Sequence, residues 1–169
     1  LGLFTSLRRM DEVANELSAR LRADGIDVIA PRRGSDDPTA LVTRFVNGAG
    51  VLLGARRFWQ GIDIPGEALQ AVVIEKLPFE VPTELRKRRE ARLAEHGVSS
   101  FERLSLGRML LNLKQMVGRL IRSEEDRGIV VIVEGRSEKR YFRRLREALP
   151  KGSEVVVSET AQLRRLLEE

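Results

Sequence analysis

The 169-residue sequence contains no cysteine and a single histidine, His96. The first absence excludes disulfides, thiolate zinc sites, cysteine-ligated iron–sulfur clusters and cysteine nucleophiles within this chain. The second excludes a multi-histidine metal site. No apolar run approaches the ~18–20 residues a membrane span requires. Aromatic residues are scarce at 5%, with one Trp. Lysine is scarce as well: of thirty Lys+Arg, only Lys76, Lys87, Lys114, Lys139 and Lys151 are Lys, so 25 are Arg. No G-x-x-x-x-G-K-[ST] occurs, so the chain has no phosphate-cradling P-loop. Asp11-Glu12 offers an acidic pair, but it follows a helix start rather than an apolar strand and reads as surface charge.

What is present suffices for one folded domain. Hydrophobic residues make up 42% and charged ones 33%, with a net charge of +5. The length favours a single domain over residues 1–169. The arginine excess has two readings, a genome biased toward Arg codons or phosphate chemistry. Guanidinium groups bind phosphate bidentately and stay charged. The sequence opens on Leu1 inside an apolar run, with neither methionine nor signal peptide, which reads as a piece of a longer protein.

Short apolar runs alternate with longer periodic segments. Strands are expected at 1–6, 26–30, 51–54, 71–76, 129–133 and 155–157. Helices are expected at 7–23, 39–46, 82–95, 102–122, 137–148 and 160–168. This order implies an α/β domain, a parallel sheet with helices on both faces. Val72–Ile74 and Ile129–Val133 read as strands buried on both sides.

Ligands of open parallel sheets bind beyond the carboxyl ends of the strands. After the first strand come Thr5 and Ser6, then Arg8 and Arg9. They suit a phosphate at a helix start, although Ser6 equally suits a simple helix cap. After 51–54 comes Gly54-Ala-Arg-Arg-Phe-Trp-Gln-Gly-Ile-Asp-Ile-Pro-Gly66. Arg56 and Arg57 beside Phe58 and Trp59 combine charge with a stacking face, as single-stranded nucleic acid requires. The alternative is a structural loop whose aromatics tuck into the core. Asp63, between apolar neighbours, needs a partner. Near the end of the long helix, Gln115, Arg119 and Arg122 are spaced four and three apart and share one helical face. Such a pair of arginines can clamp a transferring phosphoryl group; the competing reading is a solvated helix end. Ser6, Asp63 and Arg119 are expected near one edge of the sheet. The run Arg86, Lys87, Arg88, Arg89 and Arg92 reads as a solvated face or as a phosphate track.

These segments resemble a known family. Leu3-Phe-Thr-Ser6 is similar to motif IV of superfamily-two DNA helicases. Gly54–Gly66 looks like motif V of the DinG/XPD branch, with Gln60 where an acidic residue is common. Gln115-Met-Val-Gly-Arg-Leu-Ile-Arg-Ser-Glu-Glu-Asp-Arg-Gly128 looks like its motif VI. Val73–Phe79 and Lys139-Arg-Tyr141 fit the branch's spacing. The resemblance covers nearly the whole chain and lies nearer the DinG side.

The resemblance implies a RecA-like, P-loop NTPase-like three-layer domain without its own P-loop, the second motor domain of a helicase. ATP and Mg2+ would be held mainly by an N-terminal RecA-like half absent from this sequence. Arg122 would be the finger, with Arg119 beside it and Gln115 placing phosphate or water. Gly61 and Asp63 would couple the nucleotide to the DNA loop. Thr5, Ser6, Arg56, Arg57, Phe58 and Trp59 would face single-stranded DNA. It implies a cytoplasmic bacterial DNA-repair enzyme moving 5′-to-3′, without membrane contact. An iron–sulfur cluster, if the family's, would lie outside this chain. The alternative is a stand-alone, non-enzymatic nucleic-acid- or nucleotide-binding module; a third reading is another α/β enzyme with a helical phosphate site.

Overall fold

The computed structural model describes residues 1–32, 37–48, 50–58, 64, 68–121, 127–159 and 162. Five strands form one sheet: β1 (Gly2–Leu3), β2 (Asp27–Ile29), β3 (Gly50–Gly54), β4 (Ala71–Ile74) and β5 (Ile129–Ile132). Their order is β2-β3-β1-β4-β5 and every pairing is parallel. The helices are α1 (Leu7–Leu21), α2 (Pro38–Val46), α3 (Glu84–Glu95) and α4 (Gly107–Val117), followed by a 3₁₀ helix, Arg140–Ala148. A π-helical turn, Phe101–Leu106, leads into α4.

Side chains alternate across a strand, so β1, β2 and β3 feed a core on each side of the sheet. Leu3, Ile29, Leu52, Val72 and Ile74 point to the larger core, with Phe45 of α2, Leu113 and Met116 of α4, and Leu145. Phe4 and Leu53 point the other way, onto Met10 of α1. Helices thus cover both faces, the three-layer α/β arrangement expected. Coverage is uneven. Val73, Ile129 and Val133 are 40%, 45% and 51% exposed. The expectation that β4 and β5 are buried on both faces is therefore corrected: α1 packs over β2 and β3, not over β4 and β5.

Other boundaries also move. The long helix ends at Val117, not 122, because Gly118 caps it and donates to the Lys114 carbonyl at 2.9 Å. Residues 118–120 are a turn. Val155–Val157 is not a strand, and Val156 and Val157 are exposed. The 137–148 segment is 3₁₀ rather than α. The helix expected over 160–168 lies outside the described residues except for Gln162.

Candidate functional sites at opposite edges of the sheet

Parallel strands give the sheet one carboxyl and one amino edge. The carboxyl ends are laced together: Phe4 N–H donates to Gly54 at 2.9 Å, Glu75 N–H to Leu3 at 3.0 Å and Val133 N–H to Ile74 at 2.9 Å. Thr5 and Ser6 follow directly and are exposed. Ser6 caps α1, its hydroxyl accepting from Arg9 N–H at 3.4 Å. It also lines an open cavity of about 420 Å³ shared with Lys76, Phe79, Phe101, Arg136 and Tyr141. Of the two readings of Ser6, the helix cap is the one the structure shows. Arg8 and Arg9 turn instead to Glu12, which they hold below the usual carboxylate range by hydrogen bonding.

The cavity's aromatic wall has a definite geometry. Phe79 and Tyr141 meet edge to face with centroids 5.5 Å apart, and Phe101 lies 5.9 Å from Phe79 and 5.7 Å from Tyr141. The Arg136 guanidinium stands 6.0 Å and 5.9 Å from the Phe79 and Tyr141 centroids, within cation–π range. It also grips both Glu134 oxygens, at 2.8 and 2.9 Å. That bond holds the Glu134 carboxyl below its ordinary pKa and raises that of Arg136. Burial, then the nearby Glu134, raises the Tyr141 phenol. Charge, hydroxyl and aromatic rings stand together here as a base with its phosphate would require.

Arg56 opens the loop after β3 at this same edge. It is exposed and reaches Glu80 at 3.4 Å. Glu80 also binds Arg86 of α3 at 3.4 Å and approaches Arg108 of α4 at 4.0 Å, so one carboxylate gathers three arginines. Arg57 is exposed. Phe58 is not: it is 3% exposed and joins the larger core. A Cβ on Gly54 would sit 2.3 Å from its ring, so the glycine is what lets Phe58 fold back. The expectation that Phe58 faces nucleic acid is corrected in favour of its core alternative. Trp59, Gln60, Gly61 and Asp63 lie outside the described residues.

The amino edge carries the other group. Gln115 lies in the last turn of α4; Arg119 follows Gly118, its N–H donating to Met116 at 3.2 Å. The shared helical face expected for Gln115 and Arg119 is therefore corrected to a helix end plus a tight turn. Both side chains are half-buried, which disfavours a freely solvated helix end. Arg122 lies outside the described residues. Leu120 fixes the turn against the start of β5: a Cβ on Gly128 would meet its methyls at 2.7 Å and the Gln70 carbonyl at 2.8 Å. Gln70 and Gly128 immediately precede β4 and β5. Arg119 is thus at the amino edge and Ser6 at the carboxyl edge, contrary to the single edge expected. An α-helix between parallel strands runs back antiparallel to them, so its end meets the amino edge.

Residues 55–70 join the edges. They leave β3 at the carboxyl edge and enter parallel β4 at the amino edge. Ile64 and Leu69, each 1% exposed, pin this crossing to the core. Sequence reasoning missed Glu80, Phe101 and Arg136. Only the spacing around Val73–Phe79 and Lys139–Tyr141 hinted at them, since Phe101 reaches the cavity from another element.

Among the described residues, no three His, Asp or Glu side chains gather as a metal site. No helix among them is long and apolar enough to cross a membrane. Comparison with known proteins gives a family. Residues 1–152 match the helicase C-terminal domain. The chain is 35% identical over 153 residues to a Bacillus subtilis protein titled 3′-5′ exonuclease DinG, covering 89% of this chain and 16% of that one. It is 39% identical over 161 residues to a probable ATP-dependent helicase of Methanocaldococcus jannaschii, covering 87% and 25%. It is 38% identical over 112 residues to the ATP-dependent DNA helicase YoaA of Escherichia coli, covering 65% and 18%. The chain thus spans a quarter or less of these relatives' lengths. A solved apo XPD structure superposes with TM-score 0.64 at 21% identity, covering 88% of this chain and 30% of that one. This likeness shows the fold.

Proposed function

We propose, from the premise that the chain belongs to the helicase C-terminal domain family, that it is the second motor domain of an ATP-dependent DNA helicase. The amino edge completes an ATP site, and the carboxyl edge holds single-stranded DNA. One observation carries this reading: the two groups lie at opposite edges of one sheet, and the connection 55–70, which includes Arg56 and Arg57, runs from the carboxyl edge at β3 to the amino edge at β4. A motor must couple nucleotide to track, and a connection that begins beside Arg56 and ends at Gln70, before β4, is a covalent link between the two edges.

Bound magnesium–ATP, held mainly by a first motor domain, would supply the γ-phosphoryl group and its counter-charge. The donors here fit a phosphate: Gln115 offers an amide and Arg119 a half-buried guanidinium on a turn locked by Leu120. In low-dielectric surroundings such a cation is worth more than in water. Arg122, three residues on, is the proposed finger, and Gly61 and Asp63 the proposed coupling residues. At the other edge, Thr5, Ser6, Arg56 and Arg57 take phosphates, and Trp59 is the proposed stacking residue. The cavity beside Ser6 supplies rings and a guanidinium for a base. Direction of travel is proposed as 5′-to-3′ on the resemblance alone.

Photo-crosslinking of the complete polypeptide tests the division. An azido-ATP should label the peptide containing Arg119–Arg122, and thiothymidine DNA the peptides containing Ser6 or Arg56. Nucleotide labelling at Ser6 together with DNA labelling at Arg119 would overturn the reading.

A further inference from the structure

We infer that the 3₁₀ helix Arg140–Ala148 carries a second, linear contact for a nucleic-acid backbone, through a row formed by Arg140, Arg143 and Arg146. This rests on the reading that the carboxyl edge holds a single strand. Three residues complete one turn of a 3₁₀ helix, so positions three apart eclipse, about 6 Å apart along the axis. Arg140, Arg143 and Arg146 therefore stand in one file, with a repeat close to that of successive phosphates along a backbone. All three are exposed, and none has an ion-pair partner among the described residues. Tyr141, Leu145 and Ala148 are buried and fix the helix to α4, so the row rides on a rigid support.

Charge singles out this stretch. Residues 137–151 hold six Lys and Arg against two Glu, a surplus of four in a chain whose net charge is +5. Glu147 is occupied by Arg144 at 2.7 Å, and Glu138 lies 3.7 Å from Lys139. The row is thus left uncompensated. Its first residue adjoins Tyr141, which lines the cavity beside Ser6. The row therefore begins one residue from the cavity's wall. A membrane surface is a poorer fit, because the helix has no exposed large apolar side chain beside its cations.

Salt-dependent binding tests this on the complete polypeptide. The probes are a short and a long oligothymidylate, ~6 and ~20 nucleotides, bracketing the span of one binding groove. Changing Arg140, Arg143 and Arg146 together to Gln should lower the slope of log K against log salt by about 2 for the long probe, at about 0.7 per phosphate. The short probe should be unaffected. Arg143→Gln alone should remove about 0.7, and a triple change to Lys should keep the slope. An unchanged slope in both Gln variants overturns the row and leaves the carboxyl-edge site standing. Wild-type protein that binds neither probe overturns both readings. Loss of polyglutamate binding with an unchanged DNA slope overturns the proposal and makes the row a docking face for acidic protein.

Discussion

At the carboxyl edge the polar side chains are already engaged with one another. Arg136 spans Glu134 and two aromatic rings, and Glu80 gathers Arg56, Arg86 and Arg108. At the amino edge Gln115 and Arg119 occupy one helix end and one tight turn, both half-buried. A surface that meets a flexible polymer gains from preorganised, redundant contacts, since losing one leaves several. A site that completes another domain's chemistry depends on one or two groups placed to within a fraction of an ångström. The carboxyl edge should therefore tolerate single substitutions and the amino edge should not.

The sharpest way to break this contrast is the finger. In the complete polypeptide, Arg122→Ala should cut ATP turnover by about 10³ or more, the scale of an arginine finger. Single-strand binding without nucleotide should stay unchanged. Ser6→Ala should leave turnover within several-fold. An unaltered rate in Arg122→Ala removes that residue from its proposed role. The 169-residue chain alone should show negligible turnover, with or without DNA; hydrolysis that tracks the purified chain would overturn that expectation.

The two edges were unequally legible in the sequence. Residue types and spacing gave the motifs and the alternation of strands and helices, because both are local. Which edge each motif occupies is a property of connectivity. The return path of α4 carries Arg119 away from Ser6, and no local pattern announces that. Gly118 could have signalled the helix end, but the apolar residues beyond it kept the helical period going. An aromatic after a strand suits a core as well as a stacking face, and only the packing of the Phe58 ring over Gly54 decides between them. The buried Tyr141, Leu145 and Ala148 fit an α-helix as well as a 3₁₀ one, so the alignment of the neighbouring arginines was invisible.

A second test moves the amino edge without touching its charges. Gly128→Ala should drive a Cβ into Leu120 and the Gln70 carbonyl, and backbone cannot yield as a side-chain tip does. Overpacking of this kind costs about 1–3 kcal/mol, read by denaturant unfolding. Turnover of the complete polypeptide should fall further than stability alone explains, because the Arg119 turn rests on that contact. Stability within error of wild type would mean the turn is not held there.

A third test concerns pH at the carboxyl edge. Arg136 holds the Glu134 pKa below its unfolded value, so the pair's stabilisation is present above the ordinary Glu range. It is lost as pH falls through the lowered, folded value. Glu134→Gln should lower the melting temperature at neutral pH by the equivalent of about 1 kcal/mol or less, because Arg136 is half exposed. The variant's melting curve should be flatter than wild type below about pH 4.5. Parallel curves over that acid range would show that the Glu134 carboxyl titrates alike in the folded and unfolded chain.

The smallest effect is expected on α3. Arg86 is tied to Glu80, Glu90 and Ser105, and Lys87 to Glu84 at 2.7 Å. These two serve the fold. Arg88 and Arg89 are exposed, without an ion-pair partner among the described residues, on a helix with no buried residue. If α3 extends the carboxyl-edge surface, changing both to Ala should flatten the salt slope of single-strand binding by roughly one unit or more. That is about fourfold in affinity between 50 and 200 mM salt. It is far below the effect expected of the proposed finger, as redundancy would require if this edge binds a polymer. An identical slope in the double variant assigns α3 to solvent and confines the track to the loop at Arg56 and the cavity beside Ser6.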